Sequence, residues 1–268
     1  MSLLTATLLL PPLAGWSLVA ALAVVLGAGF VRGFAGFGFS AFSVAGLSLL
    51  VAPSAVIPSI FLLEILASLH MLRVGLRDAD WPWLRALVAG QVLGVPVGVA
   101  LLAWLPESGL RLVIGGLLVA AVLALRSGAR PALEPTPRMR GAVGMASGVV
   151  NGVAAIGGIV VAVLLSATRM APSALRATMV LMLLCSDVLA LAFAAMLPRA
   201  ADAGALVGAG TWRWALWLAP AMVAGIWLGS HAFARVSPDQ FRRRLLDLLG
   251  VLAVLALGRA VWGVVGAV

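Results

Sequence analysis

Apolar residues run along this chain in blocks too long for a soluble core, separated by short polar or charged stretches. The blocks lie near 16 to 31, 33 to 51, 54 to 72, 83 to 105 and 109 to 125, then 141 to 152, 156 to 168, 173 to 197, 212 to 234 and 244 to 266. A membrane-crossing helix needs about 20 predominantly apolar residues, so most blocks predict crossing helices. Residues 126 to 140 read RSGARPALEPTPRMR, and the four Arg, three Pro and one Glu there predict a solvated cytoplasmic linker. The predicted organisation is a first helical repeat over 1–125, the linker over 126–140 and a second repeat over 141–268.

Composition reinforces this all-α, polytopic membrane class. The 268 residues are 63% hydrophobic and 10% charged, with a mean hydropathy of +1.17, which leaves no room for a soluble domain. The net charge of +9 comes from 18 Arg and no Lys against 9 acidic residues. These Arg sit mainly between apolar blocks, as membrane topology requires, so no nucleic-acid partner is expected. A lone Cys185 and two His offer neither a disulfide nor a metal cluster, and no cofactor is expected. The start, MSLLTATLLLPPLAGWS, has no basic region ahead of its apolar stretch, so no cleaved signal peptide is expected.

Internal repetition decides the architecture. Sliding the chain by 119 residues lays Gly29, Arg32, Gly33 and Ala35 on Gly148, Asn151, Gly152 and Ala154. The same shift brings Gly38 onto Gly157 and Ala52-Pro53-Ser54-Ala55 onto Ala171-Pro172-Ser173-Ala174. With the shift grown to 131, Trp81-Pro-Trp83 meets Trp212-Arg-Trp214, and Gly94 and Gly98 meet Gly225 and Gly229. Chance similarity between apolar helices does not supply ungapped Gly and Pro punctuation.

Loop charge predicts that the two repeats are inverted. If Arg32, the Arg73/Arg77/Arg85 connection and the linker face the cytoplasm, strict alternation places Arg169, Arg176, Arg235 and Arg242 to Arg244 on the same side. Asn151 and the Glu107 connection then face outward. Equivalent connections thus carry opposite charge, and both termini are predicted on the non-cytoplasmic side of an inner membrane. The glycine-interrupted segments around Arg32 and Asn151 read as half-helices or re-entrant hairpins, giving about eight full spans, or ten segments if broken helices are counted.

Gly29, Gly33, Gly36 and Gly38 recur in weaker form as Gly148, Gly152, Gly157 and Gly158. Small residues at four-residue spacing let helices approach closely. Broken helices also expose backbone N–H groups to an anion at mid-membrane. The later pairs, at closer spacing, favour the second role.

At these residues the chain resembles the TauE/SafE family of sulfite and sulfonate permeases: a duplicated glycine-rich motif, a Pro-x-Ala element about fifteen residues on, then a hydroxyl residue. The resemblance covers nearly the whole chain. Both motifs are degenerate, reading Gly36-Phe-Gly38-Phe-Ser40 and Ala155-Ile-Gly157-Gly158-Ile159 against a fuller glycine run. It implies transport of small organosulfur anions without ATP hydrolysis.

Ionisable residues inside apolar segments are costly and mark function by default. Glu64 and Asp187 are mid-segment, Ser68 shares a helix face with Glu64, and Asp187 is the repeat equivalent of Ser68 (187 less 119). The two acids are candidate proton carriers, their alternative being packing or pairing with Arg. His70 is a third candidate proton carrier, with an interfacial role as its alternative. Arg32 and Arg176 are candidate cations for the anion, their alternative being topology. Ser40, Ser59, Asn151 and Thr178 are candidate donors to an oxyanion, although buried hydroxyls more often bond to helix carbonyls. Gln91 is a candidate bridge between helices, and the Trp residues are candidate interfacial anchors.

The reading is therefore a secondary transporter of a small anion, sulfite, a sulfonate or a related organosulfur anion, working by alternating access with protons as candidate coupling partners. Its partners are the anion, the bilayer and, as one option, a second copy. A membrane enzyme lacks its nucleophile, base or metal constellation. The competing class is a non-transporting binding or assembly protein.

Overall fold

The computed structural model of the chain describes residues 10–126, 135–166, 168, 170–199 and 205–232, with Gly250, Val254 and Gly258 as single helical positions. Among these residues ten helices follow one another: α1 Gly15–Ala35, α2 Phe39–Leu47, α3 Pro53–His70, α4 Leu72–Asp78, α5 Trp81–Trp104, α6 Glu107–Arg126, α7 Pro137–Ala154, α8 Gly157–Ser166, α9 Pro172–Met196 and α10 Ala209–Ala232. Six of them, α1, α3, α5, α6, α9 and α10, are long and apolar enough to cross a membrane. Arg169, Asp202, Arg235, Arg242 to Arg244, the middle of the linker and the segment 244 to 266 lie outside the described residues, apart from the three single positions.

Proline and capping side chains set the helix starts. Pro53, Pro82, Pro137 and Pro172 sit in first turns, where a missing N–H costs nothing. Asp80 and Thr136 accept from the backbone N–H groups of Trp83 and Met139. The Thr136 cap with Pro137 starts α7 inside the predicted linker, four residues before position 141.

A larger shift concerns the breaks. Arg32 and Asn151 do not separate segments: α1 runs on to Ala35 and α7 to Ala154, and each chain then turns through left-handed backbone. Gly36 (φ 81°) and Gly38 (φ 93°) make the first turn, and Ala155 (φ 59°) stands at the repeat equivalent of Gly36. Arg32 is therefore not a connection charge. Its pairing inside the fold, described below, removes the reason to expel it to a membrane face.

The helix ends repeat in step with the sequence. Ala35 and Ala154 close α1 and α7, while Pro53 and Pro172 open α3 and α9, each pair 119 apart (154 less 35, 172 less 53). The short α4 was not foreseen as a separate helix. At the corresponding place after α9 the described residues hold an isolated bridge between Pro198 and Ala205.

Each half packs its first long helix against the other half's Trp-led helix, α1 on α10 and α5 on α7. A Cβ on Gly29 or Gly33 would collide with the backbone of Met222 to Ile226, and one on Gly225 or Gly229 with Leu26 to Phe30. Likewise Gly94 and Gly98 lie against Met145 to Gly152, and Gly144 and Gly148 against Leu87 to Val95. Contacts advance in the same direction on both helices, so the partners in each pair run parallel. Small-residue packing is thus the role of Gly33 and Gly152.

The tryptophans divide. Trp81, Trp104 and Trp212 are exposed at helix ends, as anchors would be. Trp83 and Trp214 are buried, and the Arg140 guanidinium stacks over the Trp83 ring, 4.3 Å from its centroid.

Candidate functional site

Behind the two breaks lie α2, in which every residue is buried, and α8. At nine and ten residues they span about 14 to 15 Å, half the hydrocarbon thickness of a bilayer. Polar side chains gather where each hairpin turns.

In the first hairpin Arg32 has no exposed surface. Its Nη1 donates to the Gly36 carbonyl (2.8 Å), tying the guanidinium to the break itself. Nη2 donates to Ser68 Oγ (2.6 Å) and lies 3.3 Å from Glu64 Oε2. The other Glu64 oxygen, Oε1, accepts from the Ser40 backbone N–H at the start of α2 (3.1 Å). One carboxylate thus bridges the cation and a helix N-terminus, the end that favours negative charge.

In the second hairpin Asn151 stands at the equivalent place. Its Nδ2 donates to Asp187 Oδ1 (2.8 Å) and Ser186 Oγ (2.9 Å), and its Oδ1 accepts from the Gly157 N–H (3.2 Å) at the start of α8. Ser147 Oγ closes the turn by donating to the Gly157 carbonyl (2.9 Å). Arg32 to Ser68 and Asn151 to Asp187 are the same contact in the two halves, each joining residues 36 apart.

The clusters meet across the molecule. Asp187 lies within electrostatic reach of Glu64 and Arg32. From α9, the half-buried Arg176 lays its Cγ against Gly36 and donates through Nη2 to the Gly33 carbonyl (2.7 Å). Arg32 Nε, Glu64 Oε2 and Asp187 Oδ2 are buried without a hydrogen-bond partner. A fully buried group with spare donors and acceptors is expensive unless something fills them.

The structure therefore brings Arg32, Gly36, Gly38, Ser40, Glu64, Asn151, Gly157, Arg176 and Asp187 to two adjoining hairpin tips. Gly158 lies behind the second tip, with room for a Cβ only tightly beside Leu183 and Met179. Ser59 and Thr178 are elsewhere: Ser59 Oγ donates to the Thr211 carbonyl (3.0 Å), and Thr178 Oγ1 accepts from the Asp80 N–H (2.9 Å). Both hydroxyls join the two halves of the sequence rather than face the tips. His70 is exposed at the end of α3, where it lines an open apolar groove of about 610 Å³ with Leu216, Pro220 and Trp227 of α10. Gln91 is buried against Gly148 with both amide atoms unpaired, so it makes no hydrogen-bonded bridge. Ser186 and Ser147 were missed by the sequence reading.

Helices throughout the described residues, six of them apolar and of membrane-crossing length, with ion-pairing residues buried among them, define a multi-pass membrane protein. The model of the sulfite exporter TauE/SafE family matches residues 21–257, and the chain belongs to that family. It is a family of membrane transporters for sulfite and related sulfur anions, which makes a small anion and the lipid bilayer the partners. Neither a curated protein nor a solved structure matches the chain.

Proposed function

We propose that the chain is a secondary transporter of a small sulfur oxyanion or sulfonate, and that the two hairpin tips form its binding site. One observation carries the reading: a guanidinium with no exposed surface is held at a helix break, beside the Glu64 carboxylate of α3 and within electrostatic reach of Asp187 of α9. Burying such groups in a membrane protein costs several kcal/mol each. A scaffold gains nothing from that cost. A planar guanidinium beside an N-terminal helix turn offers an oxyanion directional donors that a lone ammonium would not.

Alternating access would come from rocking of inverted halves around these tips. Parallel packing of α1 on α10 and of α5 on α7 supports such an intertwined plan. So does the run of α3 alongside α10, from Ser59 near Thr211 to His70 near Trp227. In this reading α1 and α7 point in opposite directions, as the loop charges predict. In this reading α1–α2 and α7–α8 are re-entrant hairpins of the two repeats 1–125 and 141–268, with both termini outside an inner membrane.

Counterflow of labelled methanesulfonate and sulfite in proteoliposomes tests the reading. Saturable exchange that Arg32→Ala abolishes is the expected result. Folded protein that carries no anion would point to a binding or assembly role.

A further inference from the structure

We propose that the Glu64 carboxylate is a built-in occupant of the anion site, which a monoanion takes over only as Glu64 binds a proton. The inference rests on the permease reading above and goes beyond it by assigning the coupling and the charge of the substrate.

Glu64 holds what an incoming oxyanion needs. Its Oε1 takes the Ser40 N–H and its Oε2 lies against Arg32 Nη2. The N-cap of α2, Gly38, provides no side-chain cap, so Glu64 alone supplies that function from α3. Arg32 Nε is buried and unpartnered, a further donor beside the same place. A sulfonate or hydrogensulfite set where the carboxylate lies would find the guanidinium and the first turn of α2 already oriented.

Two negative groups cannot share that position in a site screened from water. Substitution therefore requires that Glu64 become neutral. One proton arrives on a Glu64 oxygen, one anion charge replaces the carboxylate charge, and the sum of charges at the tip is unchanged. Crossing the membrane in this form, anion and proton move together and electroneutrally.

The surroundings set the substrate's charge. The other groups near Glu64 are Ser68 on its own helix and, from α9, Asp187, neither of which brings a positive charge. Arg176, also from α9, is committed to the Gly33 carbonyl. From α4, Arg73, Arg77 and Asp78 are exposed. From α6, Glu107 and Arg111 bond at the opposite end of α3, to Ser54 and to the Ser48 and Val51 carbonyls. α10 contributes the Thr211 carbonyl to Ser59, with Arg213 only part-buried and His231 exposed. A dianion such as sulfate would bring a second charge that Arg32 does not balance, and the further cation at the tips, Arg176, already turns its Nη2 to the Gly33 carbonyl.

The test is binding of methanesulfonate, ionised throughout the range, to the full chain in detergent. With one linked proton the apparent Kd rises about tenfold per pH unit wherever Glu64 is ionised in the free chain and protonated in the complex. Titration calorimetry in buffers of different ionisation enthalpy then counts about one proton taken up per anion bound, and sulfate at tenfold excess fails to compete. Glu64→Gln should lose both the slope and the proton, while Asp187→Asn should keep both. Binding by the wild type with a flat pH profile and no proton uptake overturns the proposal by itself, even if Glu64→Gln does not fold. So does a slope that survives in Glu64→Gln and vanishes in Asp187→Asn. Wild type that neither binds nor carries any anion is a different result, which sinks the permease reading and this one with it.

Discussion

The two hairpins share one backbone plan and carry different charges. In the first, a cation at the break is answered by Glu64 and Ser68. In the second, a neutral amide at the same place holds Ser186 and Asp187. The geometry of the contact is the same while the chemistry differs, and in the proposed reading one tip attracts the anion and the other brings a carboxylate near it. A symmetric site would have two cations or none. In the proposed reading this one has a binding side and a balancing side.

The largest effect that sharpens this comparison is the loss of the cation. Arg32→Ala removes two hydrogen bonds and the ion pair and strands Glu64, which should cost about 3 to 5 kcal/mol of stability. Anion flux should fall at least about 100-fold, since roughly 3 kcal/mol is two decades. Asn151→Ala removes three hydrogen bonds of about 1 kcal/mol each and no ion pair, and should slow flux by about tenfold. Initial rates in proteoliposomes, normalised to folded protein, give both numbers. Equal losses would break the division into binding and balancing sides.

Where the halves are alike, substitutions should act alike. Gly98→Ala and Gly229→Ala each drive a methyl into the partner helix backbone, at Val149 and at Phe30. Each should cost about 1 to 3 kcal/mol, read as similar drops in melting temperature of the detergent-solubilised protein. A drop in one only would mean that the two cross-packed helix pairs are not equivalent.

The smallest effect has opposite signs in the two halves. Gly36→Ala forces a side chain into left-handed backbone and against Arg176, at a cost of about 1 to 2 kcal/mol. Ala155→Gly relieves the same conformation and should gain up to about 1 kcal/mol. Thermal unfolding of the pair checks the signs.

Much of this was legible because a repeat doubles every signal. Gly and Pro punctuation located the helix breaks to within four residues, and Pro53 and Pro172 marked true helix starts. Glu64 and Asp187 stood out as charges in apolar runs. Arg32, a candidate cation for the anion, was also placed in a cytoplasmic connection, because a sequence shows a charge but not the partner 32 residues away that pairs with it. Ser59 and Thr178 matched each other in the repeat, yet each is used by a contact across the halves about 100 or more residues distant. One usable signal was passed over. Arg32 and Asn151 each precede a polar residue by 36, and that shared spacing points to Ser68 and Asp187 as their partners.

The most direct test of the central claim is methanesulfonate uptake into proteoliposomes under an inward proton gradient, with the membrane potential clamped at zero. We predict saturable uptake that exceeds uptake without the gradient by at least about tenfold, the factor one coupled proton gives per pH unit, and that disappears in Arg32→Ala. Uptake indifferent to Arg32, or no uptake by folded wild-type protein, would contradict the claim that the charged hairpin tip binds and carries the anion.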